Sequence, residues 1–235
     1  MNFDQAARKT VQFLLFFLFP VVMQADQDYV FKIRADNLIM ASGSDTSTAN
    51  TVYPNSKNSV GINHSYYMYY DYVAGASLLF FDLSAIAGRS VKKAYLYLYV
   101  TTLSGDPYGA ANTTDYKISA ISESWNTQTV TWNNQPHTTY LYEKKFEVPL
   151  SSSAPTVIEV TEIVKNWVSG TWVNYGFMAQ DAYYQAQYCN CLYATNFGAL
   201  GDSDSVLPRL FVTVEDNVPT TASTLMPVIN YLLMN

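Results

Sequence analysis

The most constraining feature of this chain is the run 91–102, in which two residue classes alternate without a break from Ala94 to Val100. Ala94, Leu96, Leu98 and Val100 interleave with Tyr95, Tyr97 and Tyr99. A period of two places the aliphatic residues on one face of a strand and three tyrosines in a row on the other. No helix can sort these residues, so the chain has to build a sheet with a buried aliphatic side. Similar runs rich in β-branched and aromatic residues, separated by turn residues, recur at 37–40, 62–72, 76–83, 116–122, 128–132, 140–148, 156–160, 175–180, 188–195 and 207–214. Many short strands at this spacing predict an all-β fold, an antiparallel β-sandwich of jelly-roll type. Residues 42–61 are polar and read as a loop. One segment breaks the pattern. Thr161 followed by Ile163, Val164 and Trp167 has an apolar stripe at helical spacing and a glycine stop at Gly170, which predicts one short helix capped by Thr161.

Composition narrows the function classes. Of 235 residues only 14% are charged, against the ~25% common in soluble domains. Lys and Arg number 13 against 19 Asp and Glu, a net charge of −6, so the chain lacks the basic face needed to neutralise nucleic-acid phosphates. Residues 1–25 have the form of a secretory signal: Arg8 and Lys9 precede a 13-residue apolar stretch at 11–23, too short for the ~20 residues of a spanning helix, and Ala25 is a small residue at the cleavage position. The expected organisation is a signal at 1–25, one β-domain at 26–215, and a spacer with an apolar tail at 216–235. The expected location is the extracellular space or the cell surface.

Chemistry-bearing motifs are few. His64 and His137 stand in no zincin or nucleophile-elbow pattern, and the chain has no phosphate-binding loop or dinucleotide fingerprint. Cys189 and Cys191 are two apart, too close for an unstrained bridge on a strand; they are small packing residues or pair with a second copy. The expectation is therefore no catalytic residues and no cofactor, with Asp202 and Asp204 as the one candidate pair of oxygen ligands for calcium. Tyrosine is the material for binding. Tyr66, Tyr67, Tyr69, Tyr70 and Tyr72 fall within seven residues, and Tyr183, Tyr184, Tyr188 and Tyr193 form a second cluster. Such rings present apolar faces to sugars, pack across strands, or line a protein contact. The scarcity of Lys and Arg favours a neutral glycan or a protein surface over an acidic polysaccharide.

Three ordered segments carry a family resemblance. The first joins SLLFFDLSAIA at 77–87 to VKKAYLYLYV at 91–100; the second is Glu123-Ser-Trp125 followed by TVTWNNQP at 129–136; the third is IEVTEIVKNWVSGTWVNYGF at 158–177. With PRLFVTV at 208–214 as a closing strand, the chain resembles the DNRLRE domain over residues 36–215. That domain is a β-sandwich module of secreted bacterial and archaeal proteins, also described as disaggregatase-related and classed in part as a carbohydrate-binding module. The arginine usual before Phe-Asp-Leu-Ser is missing here, where the chain has Ser77-Leu-Leu-Phe-Phe81. In the residues themselves, Asp82 and Ser84 read as strand-end turn chemistry, Asn133 and Asn134 as a turn, and Trp125, Trp132 and Trp167 as plugs for the ends of the sandwich core.

Two readings of function follow. The leading one is a non-catalytic structural or adhesive protein of the bacterial or archaeal surface, assembling with copies of itself or other surface proteins. Its instrument would be the apolar tail, where Val228, Ile229, Tyr231, Leu232 and Leu233 offer a strand apolar on both faces for donation to a neighbour. The alternative is a free-standing carbohydrate-binding module that holds polysaccharide through the tyrosine clusters.

Overall fold

A computed structural model describes residues 26–42, 48–54, 60–67, 71–105, 113–139, 143–149, 154–181, 192–200 and 202–215. Thirteen strands run through them: β1 (Gln27–Lys32), β2 (Ala35–Ser42), β3 (Tyr53–Pro54), β4 (Val60–Tyr67), β5 (Asp71–Phe80), β6 (Val91–Leu98), β7 (Val100–Gly105), β8 (Thr113–Ala120), β9 (Lys144–Pro149), β10 (Thr156–Glu159), β11 (Phe177–Asp181), β12 (Leu192–Phe197) and β13 (Arg209–Val214), with a single α-helix, α1 (Thr161–Val168). They form two antiparallel sheets. The first has the order β1-β13-β6-β10; the second runs β7-β12-β4-β5-β11-β8-β9, with β2 also on β5 and β3 on β2. The expected all-β sandwich with one helix is what the chain builds.

The alternating run at 94–100 does what its period requires, up to one residue. Ala94, Leu96 and Leu98 are fully buried, while Tyr95, Tyr97 and Tyr99 are half-buried on the other side. The run is two strands rather than one, however. β6 ends at Leu98 in the first sheet, and after Tyr99 the chain enters the second sheet as β7. Between the sheets Leu96, Leu98, Leu210 and Val212 meet Leu79, Tyr116, Ile118, Phe177 and Phe197 in one core. Each such side chain contributes about 1.5–3 kcal/mol by leaving water.

Helix α1 lies where its stripe predicts, with Ile163, Val164, Trp167 and Val168 buried in that core. Trp167 sets its ring edge-on to Phe177 at 4.6 Å. The helix stops at Gly170, whose φ of +77° is a left-handed conformation suited to glycine. Thr161 corrects an expectation: Val160 occupies the cap position, with no side-chain cap. The Thr161 hydroxyl instead accepts the Ala94 N–H of β6 at 2.9 Å, fastening the helix start to the first sheet.

Residues 128–132 are not a strand. Gln128 and Thr129 form a turn, and the whole segment 121–139 folds over the outer face of the second sheet. There Ile121 and Val130 join Ile39, Ala76, Leu78 and Met178 in a second, smaller core, against which Trp125, Trp132 and Tyr175 pack. Of the three tryptophans expected to plug the main core, only Trp167 does; Trp125 and Trp132 belong to this outer layer. β1 was not anticipated. It pairs with β13 along its full length and lays Tyr29 and Phe31 against the main core.

Candidate functional site

Of the tyrosine cluster at 66–72, Tyr66 and Tyr67 end β4 and Tyr72 lies at the start of β5. Tyr66 pairs with Tyr72 and Tyr67 with Asp71, while His64 stands opposite both Ala74 and Tyr193 of β12. The backbone thus brings the first cluster and Tyr193 of the second to neighbouring strands. Tyr69, Tyr70, Tyr183 and Tyr184 lie outside the described residues, as do Cys189, Cys191 and the tail residues Val228, Ile229, Tyr231, Leu232 and Leu233.

A third aromatic surface is described in full. In an antiparallel sheet, paired residues share a face. On the outer face of the first sheet, the register sets Val30, Phe211, Tyr95 and Glu159 in one cross-strand row, and Lys32, Arg209, Tyr97 and Val157 in the next. Tyr97 and Phe211 touch diagonally, with ring centroids 4.4 Å apart and planes tilted by 50°. The Arg209 guanidinium lies over the Tyr99 ring, 5.8 Å from its centroid. Val30 and Val157 flank the strip on its two outer strands and are 52% and 48% exposed. The charged residues of these two rows are paired: Lys32 Nζ meets Asp204 Oδ1 at 2.7 Å, Arg209 lies 3.7 Å from Asp204 Oδ2, and Glu159 lies 3.7 Å from Lys144.

The two carboxylates weighed for calcium therefore have protein partners. Asp204 faces Lys32 and Arg209, and the hydrogen bond from Lys32 holds its pKa below the ordinary value. Asp202 Oδ2 accepts the Ala199 N–H at 2.9 Å and closes the loop before β13. Among the described residues no three metal-ligating side chains gather. Nearby, Asp36 is fully buried and accepts the Leu200 N–H at 2.7 Å. Burial, opposed by that hydrogen bond and reinforced by Asp202, lifts its pKa to about 6.

The motif residues are mostly structural. Asp82 Oδ1 accepts the Ser84 N–H at 3.0 Å, as its strand-end position suggests. Asn134 Oδ1 accepts from the Thr131 N–H at 2.6 Å and its amide donates to the Thr129 carbonyl at 3.0 Å, closing the turn that carries Trp132. Trp125 Nε1 donates to the Tyr175 carbonyl at 2.8 Å. Asn174 donates to the Phe81 carbonyl at 2.7 Å and accepts the Gly176 N–H at 3.0 Å. Gly176 has φ +93°, and a Cβ there would strike the Leu79 carbonyl, so the Asn-x-Gly-Phe sequence is a backbone requirement where β11 meets β5. Among the described residues the closest approach to an acid–base pair is Glu123 with His137, 2.6 Å apart on the surface, His137 being 86% exposed. The His137 backbone N–H is the main cause of the lowered Glu123 pKa. A pair so open to water has no enclosed site in which to act.

The sequence pattern led to the hairpin tyrosines and to the tyrosine row at 95–99. It missed Phe211 and Arg209, which reach Tyr97 and Tyr99 only through the pairing of β13 with β6. The alternation of Arg209, Phe211 and Thr213 with Leu210, Val212 and Val214 was the available signal.

The family model described as carbohydrate-binding module family 96 matches residues 37–191, more than half of the chain. No curated protein matches it.

Proposed function

The chain belongs to carbohydrate-binding module family 96, and on that premise we propose that it is a non-catalytic module whose ligand is an extracellular polysaccharide. The family match over 37–191 carries this reading. Of the two functions weighed from the sequence, it favours glycan binding over self-assembly through the tail, to which neither the match nor the described residues lend support. The signal-like segment at 1–25 supports a place outside the cell, and the family is in keeping with it. Among the described residues no helix is long and apolar enough to cross a membrane.

The tyrosine clusters at 66–72 and 183–184 are the proposed contacts for single glycan chains. Their rings offer flat apolar faces with a hydroxyl at the edge, which suits a sugar's axial C–H face and its equatorial hydroxyls. A glycan array with soluble oligosaccharides tests the reading. Wild type should bind, and replacement of Tyr66, Tyr67, Tyr69 and Tyr70 by Ser should abolish that binding while the protein still melts cooperatively. Wild type that recognises no carbohydrate removes the proposal.

A further inference from the structure

We propose that the outer face of the first sheet is a second polysaccharide-binding face, and that it takes the flat side of an uncharged, insoluble polymer. The inference rests on the carbohydrate-binding reading but concerns a different surface. It combines strands on both sides of the family match, because Val30, Arg209 and Phe211 lie beyond residues 37–191 while Tyr95, Tyr97 and Val157 lie within them.

Shape comes first. Four strands about 4.8 Å apart carry the face, and alternate residues on one strand are about 6.6 Å apart, so its side chains stand on a shallow grid rather than in a cleft. The Tyr97 and Phe211 rings overlap at a tilt and make a continuous apolar strip, which Val30 and Val157 extend to both outer strands. A surface of this shape cannot surround a single chain. It can lie against a plane of parallel chains, where many sugar faces are presented together.

Charge comes second. Lys32 and Arg209 are turned to Asp204, and Glu159 lies near Lys144, so the ionic groups in the two rows that hold the strip are matched within the protein, while the exposed Asp28 and Lys93 flank Thr213 in the row beyond. Over the two rows that hold the strip, an acidic polymer would need free cations and a basic one free carboxylates. A neutral polymer needs neither, and the release of water from the apolar strip supplies the driving force. Asp28 and Thr213, hydrogen-bonded at 2.6 Å on the same face, and the Tyr97 hydroxyl offer polar edges for hydroxyl groups.

The experiment is depletion binding of the full chain to microcrystalline cellulose and chitin powder, beside titration with soluble oligosaccharides. Tyr97→Ser removes the centre of the strip. The double variant Val30→Glu/Val157→Glu changes only exposed positions and keeps the test sound if Tyr97→Ser unfolds. We expect either variant to lower affinity for at least one insoluble polymer about tenfold or more, because aromatic contact is lost or a carboxylate must shed water. Soluble-oligosaccharide binding should stay unchanged. Unaltered retention of the Val30→Glu/Val157→Glu protein overturns the second face while leaving the module reading intact, as does a wild type that binds soluble glycans but neither powder. Loss of both activities together makes one site of the two surfaces and also overturns it. A wild type that binds no carbohydrate of any kind defeats the module reading and this inference with it.

Discussion

At the scale of single residues, Trp125, Trp132 and Trp167, three of the four tryptophans, separate packing from pattern. All sit in the motifs that carry the family resemblance, but their burial differs. Trp167 is 6% exposed inside the main core, whereas Trp132 is half-buried in the layer over the second sheet. Trp167→Ala should destabilise by about 3–5 kcal/mol, the range for a large core deletion, and Trp132→Ala by about 1–2 kcal/mol, since part of its surface already meets water. Urea unfolding of both variants checks the order, and equal losses would contradict it. Asp36 makes a second residue-scale prediction. Burial raises its pKa to about 6, so the folded protein holds this proton more tightly than the unfolded chain does. The resulting stability is fully present below the ordinary value near 4 and is lost as pH rises through about 6, an effect on the order of 1–3 kcal/mol. Asp82, Glu123, Glu159 and Asp204 are shifted downward and act in the opposite sense, below pH ~4, outside that window. Asp36→Asn keeps an acceptor for the Leu200 N–H and should abolish the decline between pH 4.5 and 7. The same decline in wild type and variant would show that the buried carboxyl is not its source.

At the scale of elements, much was legible where one local pattern decided the outcome. Helix α1 was, because Ile163, Val164 and Trp167 define a stripe that only a helix can bury and Gly170 ends it. β6 and β13 were, because the alternation from Ala94 onward in β6 and throughout β13 matches a pleated strand with one dry face. The errors occur where tertiary contacts outweigh local preference. Residues 128–132 contain Val130 and Trp132, good strand formers, yet Asn126 and Asn134 take the backbone hydrogen bonds a ladder would need and curl the segment into turns. The break at Tyr99 has no marker in the alternation, because residues on either side of a sheet switch keep the same period. β1 was missed because Gln27, Asp28 and Lys32 dilute its apolar signal, as befits an edge strand. Its role is nonetheless substantial: it covers β13 and seats Tyr29 and Phe31 on the core. Deletion of residues 27–32 should lower the melting temperature by roughly 10 °C or more, given the loss of two large apolar side chains and a strand ladder. A truncated protein that melts with wild type would show the edge strand to be dispensable.

At the scale of the whole molecule, the fold and the class of function were readable at different depths. Two sheets around an aliphatic core follow from periodicity, since burial of one face is a physical necessity that the sequence displays residue by residue. The functional surface is a matter of which exposed residues become neighbours, and pairing over more than a hundred positions, as between Tyr95 and Phe211, leaves no local trace. The tyrosine clusters were visible because they are contiguous; the strip on the first sheet was only half visible, as the tyrosine row of β6 without its partners on β13. The resemblance drawn from ordered motifs pointed to a carbohydrate-binding module among other things, and membership of carbohydrate-binding module family 96 supports that part of it. The central claim is binding without chemistry. Its most direct test is to incubate the full chain with insoluble and soluble polysaccharides and to measure bound protein and released reducing ends in the same samples. The account predicts saturable binding to at least one polysaccharide with no release of sugar above the protein-free control; absence of binding throughout, or release of sugar that grows with protein concentration, would contradict it.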